Sequence, residues 1–577
     1  MISRTWRTSE RKYGIVIKRD IKIPMSDGIK IDCDIFYPDA NEKFPTILGV
    51  HPFDKPSQSA PTMPKGFYLL NGSVEAGDSN FFVRRGYAHV IANVRGTGKS
   101  EGAFQNRGPR EVKDTCEMME WVANQPWSDG KLGMFGVSYF AITQLQVAAL
   151  NPPNLKAIFA PFGYTDFYRD NYYHGGILFH GFVSGWANRI FKRTTNYRPD
   201  ATWSSWTRQR LGDSKFKEAI AEALQDREIR AVPALVEALR NPEKDANPVI
   251  VDIVLNKFDS EYYQDRNVRH EDIKVPAYLG ACWGNYGLHL PGPFRTWEKM
   301  AGPKRMVIGP PIYLDRPVYQ YQYECLRWFD HWLKGVENGI MEEPPVRLFI
   351  MGTGKWKSAN EWPLPETKWT PFYLHRNGLL SEHEFWPDEG CSVFEDNLFN
   401  ERGGLRFLSP PLVEDTEVVG PIVLKLFAST TDSDVLWFAS LLDVDPEGKE
   451  RLLTRGWLRG SQRALDPKKS KPWEPCHPHT KREALVPGEI YEFDIKILPT
   501  GNLFRAGHRI GLRIRCVDDE KPKTSLEAIA LGHLSNPTPS WISIHHNADH
   551  PSCLLLPITE GNILGTFISG GDVTLST

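Results

Sequence analysis

Hydrophobic and polar positions alternate in short blocks through the first third of the chain. Val16 to Pro24, Ile29 to Tyr37 and Thr46 to Val50 carry strand patterns, and Ser26-Asp27-Gly28 predicts a hairpin turn between the first two. Tyr87 to Val94 is a run of Val, Ile and Ala, the composition of a buried strand. From Glu111 to Asn124 the period lengthens, with Met118, Met119 and Val122 on one helical face. Pro126-Trp127-Ser128-Asp129-Gly130 turns the chain. A strand pattern, Lys131 to Phe135, follows, then a helical run, Ala141 to Leu150, and a further strand, Lys156 to Pro161. Strands separated by helices pair in parallel, so this region predicts an α/β sheet.

The pattern changes twice more. Between about 165 and 270 the periodicity is helical, in Phe182 to Trp186, Ser214 to Gln225 and Val232 to Arg240, with no clear strands. The sheet resumes at Val275 to Cys282 and Arg305 to Ile308. Tyr319 to Lys334 is then strongly amphipathic, with Leu326, Phe329, Trp332 and Leu333 apolar. Beyond about 345 come short strands with Gly and Pro between them: Arg347 to Met351, Ile422 to Ser429, Leu436 to Val444, Ile490 to Ile497, Arg509 to Cys516 and Trp541 to Ile544. The expected organisation is an α/β domain over 1–165 and 271–345, a helical cap over 166–270, and an all-β sandwich or jelly roll over 346–577.

Composition narrows the function classes. The 577 residues are 41% hydrophobic and 24% charged, which is ordinary for a globular chain. A net charge of −2 gives no reason to expect nucleic acid or an anionic membrane as a partner. No apolar run approaches a membrane span, and Met1 to Lys12 is polar without the apolar core of a leader. The 8 cysteines stand singly with no CxxC pair, so a reducing, cytoplasmic setting without a zinc ribbon is expected. Aromatics at 12% fit a large core, or a pocket for an apolar small molecule.

The most informative chemistry is Gly136-Val137-Ser138-Tyr139-Phe140, between a strand and a helix. That context suits a nucleophile elbow, a sharp turn that lifts a serine hydroxyl above a sheet. Serine needs a neighbouring base before it acts as a nucleophile.

Three longer stretches carry a resemblance. Arg84-Arg85-Gly86-Tyr87 leads to Val94-Arg95-Gly96-Thr97-Gly98-Lys99-Ser100-Glu101-Gly102, Gln125 to Gly133 precedes the elbow, and Leu326 to Gly335 reads Leu-Arg-Trp-Phe-Asp-His-Trp-Leu-Lys-Gly. With them the chain resembles the cocaine esterase and X-prolyl dipeptidyl aminopeptidase (CocE/NonD-type) family of α/β-hydrolases over nearly its whole length. The resemblance implies an α/β-hydrolase domain, an inserted helical cap, a C-terminal jelly roll and no cofactor or metal. It implies Ser138 as nucleophile and the Tyr139 amide as one oxyanion donor. It also implies a tyrosine hydroxyl as second donor where His51-Pro52-Phe53 places Phe53. The family's acid aligns with Asn285, in Ala281-Cys282-Trp283-Gly284-Asn285, and its base with Tyr313, in Gly309-Pro310-Pro311-Ile312-Tyr313. Phe53 lacks a hydroxyl, Asn285 carries no charge for an imidazolium, and a tyrosine is a poor base at neutral pH.

Two readings rescue the site. One is a rearranged Ser138–His289–Asp315 relay, since triads are defined by role and geometry. It makes the chain a serine hydrolase of small esters or amides, with Trp283, Phe53, Asn285 and Tyr313 around the pocket. The other is non-hydrolytic tailoring of an apolar secondary metabolite, by cyclisation, rearrangement or condensation in a closed aromatic site. A non-catalytic binding protein is the third reading. The β domain is expected either to close the pocket or to join subunits in a homo-oligomer.

Other motifs are weaker. Gly96 to Ser100 imitates the end of a phosphate loop, but Asn93 stands where its first glycine belongs. His545, His546 and His550 lack metal-site spacing. His174-Gly175-Gly176 in the cap fits a turn as well as a pocket wall, Lys468, Lys469 and Lys471 read as an exposed loop, and Cys282 as a small buried apolar residue.

Overall fold

The computed structural model describes residues 7–53, 55–59, 69–194, 212–244, 247–311, 317–384, 390–397, 403–518 and 532–561. The α/β domain is built on a ten-stranded sheet. In order across it the strands are Ile15–Pro24, Lys30–Pro38, Ala88–Asn93, Phe44–His51, Ser128–Phe135, Leu155–Pro161, Ala277–Cys282, Lys304–Gly309, Val346–Ile350 and Lys355–Ala359. Pairing is parallel from Ala88–Asn93 through to Val346–Ile350 and antiparallel at both margins. The central strands read as continuous apolar runs because helices cover both faces. Pro109–Ala123 and Tyr139–Ala148 pack on the sheet, as does Pro317–Lys334, whose Phe329 ring fills the space beside Gly133.

The sheet extends further than expected. Val346–Ile350 adds in parallel to Lys304–Gly309, and Lys355–Ala359 folds back on it, so a β domain starting at 346 cuts into this sheet. Strand periodicity marks a strand without naming its sheet. Here the preceding helix, Pro317–Lys334, serves as the crossover that parallel pairing requires.

The cap contains His180–Thr194, Ser214–Ala223, Pro233–Arg240 and Asn247–Leu255. The last was not expected, because its apolar residues have no polar face and it is buried along most of its length. A two-residue hairpin, Tyr173–His174 with Ile177–Leu178, interrupts the helical pattern. Gly175 and Gly176 make its turn at φ 55° and 85°, and a Cβ on Gly175 would stand 2.0 Å from the Trp457 carbonyl oxygen.

The C-terminal region is a twelve-stranded sheet. Its path closes on itself, because Cys553–Glu560 pairs with both Lys368–His375 and Thr416–Thr430. This β domain docks on the other two. Met351 and Leu503 exchange backbone hydrogen bonds with Gly501 and Met351, and Arg459 pairs with Glu228 of the cap and Asp434. His174 lies 2.8 Å from His533 Nε2 across the same contact. Among the described residues no helix is long and apolar enough to cross a membrane.

Candidate active site

Local sequence forces the elbow. Gly136 has φ 146°, and a Cβ there would lie 2.5 Å from Phe140 Cβ, so only glycine lets the helix start so close to the strand. Ser138 takes φ 60°, ψ −116°, a strained conformation for a residue with a side chain. It is held by the Val137 amide on Glu75 O and the Ile142 amide on Ser138 O. Tyr139 is the first helical residue, where no carbonyl lies one turn back for its amide. Ser138 is half-exposed among buried neighbours.

The structure brings Ser138 and His289 together. Ser138 Oγ lies 3.1 Å from His289 Nε2, across the sheet top from the loop after Ala277–Cys282. Asn285 is the group behind the histidine: its Nδ2 lies 2.7 Å from His289 Nδ1, and its Oδ1 is buried without a partner. The four-residue spacing follows from a tight loop in which the His289 and Leu290 amides both donate to the Asn285 carbonyl. Among the described residues, the Asn285 amide is thus the group set against the far nitrogen of the imidazole. Asp315 and Tyr313 lie outside the described residues.

His289 is fully buried, and its ring stacks 6.0 Å from Tyr164 and edge-on to Phe162. Burial, with the nearby Arg107 guanidinium, pulls its pKa down to about 3. It is thus neutral at ordinary pH, the form that can accept a proton, but the imidazolium it would become is disfavoured. An aspartate would offset that cost, and an asparagine does so only as a dipole.

Of the expected pocket residues, Trp283 is placed elsewhere and Phe53 is not. Trp283 is buried away from solvent; its Nε1 donates to the Phe349 carbonyl at 2.5 Å, and its ring packs against Gly501 of the β domain and on Phe294. It is a domain-contact residue, a role its indole suits because the buried N–H needs an acceptor. Phe53 does sit by the elbow, half-buried, with its ring 6.4 Å from that of Tyr139. Its loop is tied down: the Phe53 amide donates to His51 Nδ1, Asn93 Nδ2 donates to the Phe53 carbonyl, and Lys55 bridges Asp20, Asp32 and Asp34.

Sequence reading missed Arg107 and Tyr164. Tyr164 follows the strand Leu155–Pro161, and Arg107 precedes the helix Pro109–Ala123. Neither position carries a recognisable motif. Among the weaker motifs, Lys99 pairs with Asp20 and no helix begins there. His545 and His546 bond to Ser429 and Ser392. Among the described residues no cluster of His, Cys, Asp and Glu is arranged to hold a metal.

The chain matches the profile of the X-Pro dipeptidyl-peptidase (S15 family) over residues 27–312, and that of the X-Pro dipeptidyl-peptidase C-terminal non-catalytic domain over 338–554. It belongs to this cocaine esterase and X-prolyl dipeptidyl peptidase family. Cocaine esterase of a Rhodococcus species is 28% identical, over 94% of this chain and 99% of that protein. A putative Xaa-Pro dipeptidyl-peptidase of Bacillus anthracis is 26% identical, over 83% and 78%. A CocE/NonD family hydrolase from Staphylococcus aureus, 27% identical, superimposes with a TM-score of 0.78 over 95% and 94% of the two chains. An α-amino acid ester hydrolase shares the fold at 19% identity and TM-score 0.73. The protein is accordingly a CocE/NonD-like, hydrolase-type enzyme whose mostly β C-terminal region corresponds to a non-catalytic domain.

Proposed function

We propose that the chain is a serine hydrolase of small-molecule esters or amides, with Ser138 as nucleophile, His289 as base and Asn285 as the orienting amide. The observation that carries this is the 3.1 Å approach of Ser138 Oγ to His289 Nε2 on an intact elbow. In the productive arrangement Asn285 turns its Oδ1 toward His289, accepts the Nδ1–H, and leaves the Nε2 lone pair facing the serine. His289 then takes the Oγ proton as Oγ bonds to the acyl carbon. The oxyanion forms against the Tyr139 amide, and the proton passes to the departing alcohol or amine as its bond breaks. Water repeats the sequence to release the acid and restore Ser138. Half-buried Phe53 and Trp186 are apolar surface for the hydrocarbon part of a substrate. The closed path of the β domain supports the jelly-roll reading.

One observation favours non-hydrolytic use of the same site. With Asn285 Nδ2 donating to Nδ1, the histidine proton sits on Nε2 and is presented to Ser138, which stays unactivated. Covalent labelling with a fluorophosphonate separates the two. Label that appears on the wild type and vanishes in Ser138→Ala and His289→Ala supports the hydrolase. Absence of label on folded wild-type protein defeats it and favours the tailoring reading.

A further inference from the structure

Arg107 is a buried cation that no anion of the described chain pairs with. It is 4% exposed and makes no ion pair among the described residues. Its Nη2 donates to Asn106 Oδ1 at 2.9 Å and, more weakly, to the Tyr172 hydroxyl at 3.4 Å, while Nε is buried without a partner. Aromatic rings surround the guanidinium, with centroids 4.6 Å away at Tyr139, 5.1 Å at Tyr164, and 5.3 Å at both Phe167 and Trp186. Ring faces attract a cation, but they do not satisfy N–H donors directed along its plane.

The loop around Arg107 is built to hold it there. Asn106 and Arg107 both take left-handed backbone conformations, φ 49° and 62°, which residues with side chains adopt at a cost. Side chains from four other elements fix them. Glu111 accepts from the Gln105 and Arg107 amides, Gln146 donates to the Arg107 carbonyl, and Arg266 donates to the Gln105 and Asn106 carbonyls. Tyr172 receives the Asn106 amide. The Glu111 carboxylate is the nearest anion, and its remaining capacity goes to the Tyr139 hydroxyl at 2.6 Å.

The position is what gives this cation a meaning. Tyr139 follows the nucleophile and Tyr164 stacks on His289, so the guanidinium shares its rings with both halves of the relay. Resting beside the imidazole, it opposes the positive charge that His289 acquires when Ser138 is deprotonated. A bound anion reverses that effect and gives the buried Nε–H the acceptor it lacks.

We propose that Arg107 anchors a carboxylate carried by the substrate, so that the preferred ester or amide is an acidic one such as a half-ester of a dicarboxylic acid. This rests on the serine hydrolase reading and adds the charge of the substrate to it. Planar carboxylate against planar guanidinium is the matching geometry. Besides holding the substrate, the carboxylate lowers the cost of the imidazolium, so a charged substrate gains in turnover and not only in affinity.

The test compares 4-nitrophenyl hydrogen glutarate with the neutral 4-nitrophenyl valerate. Wild type is expected to favour the charged ester at least tenfold in kcat/KM, with part of the ratio in kcat. Arg107→Gln is expected to erase the ratio, and Arg107→Lys to restore some of it. In parallel, glutarate is titrated against Ser138→Ala and against the Arg107→Gln, Ser138→Ala double variant by calorimetry, with glutaramide as the neutral control. Binding of glutarate at least tenfold tighter than glutaramide, lost with Arg107, supports the subsite even where neither ester turns over. Equal rates on the two esters in wild type, with no preference for glutarate over glutaramide, overturn it while leaving the hydrolase reading intact. Should Arg107→Gln fail to fold, the wild-type ester ratio and the glutarate preference of Ser138→Ala decide.

Discussion

Replacing Asn285 by aspartate tests the electrostatics of the relay directly. The pull of His289 from 6.5 to about 3 corresponds to about 5 kcal/mol against the imidazolium at ~1.4 kcal/mol per pH unit. A carboxylate at the Asn285 position would stand against Nδ1, where the amide now lies at 2.7 Å. Charge centres about 4 Å apart at an effective dielectric of about 20 attract by about 4 kcal/mol. Asn285 is 1% exposed, so burying the new carboxylate offsets part of that gain. A net 2–3 kcal/mol is the working figure, worth roughly 30- to 150-fold in the rate of a step that forms the imidazolium. The assay is hydrolysis of 4-nitrophenyl acetate, with fluorophosphonate labelling rates alongside, from pH 3 to 9. For the wild type the neutral, base-competent imidazole persists down to about pH 3, so kcat/KM stays flat through pH 6.5 and falls only near 3. In Asn285→Asp the acid limb moves up by about two pH units as the rate rises. A folded Asn285→Asp protein with a rate change under threefold and an unmoved acid limb would refute the assignment of Asn285 behind His289.

The other expectations are simpler. Phe53→Tyr returns a hydroxyl next to Tyr139 and should raise ester hydrolysis by about tenfold or more, since one oxyanion donor contributes ~10²–10³; an unchanged rate would place the Phe53 ring outside the oxyanion's reach. Arg459→Met strands Glu228 and Asp434 at the cap and β-domain contact and should destabilise by about 3–5 kcal/mol, lowering the thermal midpoint by several degrees at a fixed scan rate; an unmoved midpoint would mean that both acids find water instead. Gly136→Ala adds a Cβ 2.5 Å from Phe140 Cβ at φ 146° and should give little soluble protein, whereas Gly130→Ala, with nothing within 4 Å, should stay soluble at a small cost from its φ of 84°. Comparable yields from the two would show that the elbow relaxes.

Much of the α/β domain was legible in the chain because its signals are local. The central strands announce themselves as apolar runs, and the elbow as Gly136 followed by Ser138. Partner choice was not legible. Nothing in the pattern of Val346–Ile350 separates a strand of the first sheet from one of the second, because pairing is settled over a distance of forty residues. The helix Asn247–Leu255 stayed hidden since burial on all sides removes its periodicity. At the site, His289 is identifiable from its spacing to Asn285, and the structure sets that asparagine against the imidazole, while Asp315 lies outside the described residues. Arg107 carried no signal at all. Its importance comes from a loop held by residues as far away as Gln146 and Arg266, and no short motif encodes such contacts.

Asn285 and Arg107 act on the same imidazole. The family resemblance implies a negative charge behind the histidine, and among the described residues the group set there is the neutral Asn285 amide. A positive charge, Arg107, stands within range of the same imidazole. On the proposed relay, the neutral amide and the guanidinium each make proton transfer from Ser138 harder. Such a site discriminates. Neutral esters meet a weak base, whereas a ligand that brings a carboxylate to the guanidinium supplies the missing charge and strengthens the base on arrival. The neutral Asn285 and the arginine then act in the same direction, tying activation of the serine to the charge of what is bound. The benefit of Asn285→Asp should accordingly be larger for 4-nitrophenyl valerate than for 4-nitrophenyl hydrogen glutarate. Equal gains on the two would separate Arg107 from the relay.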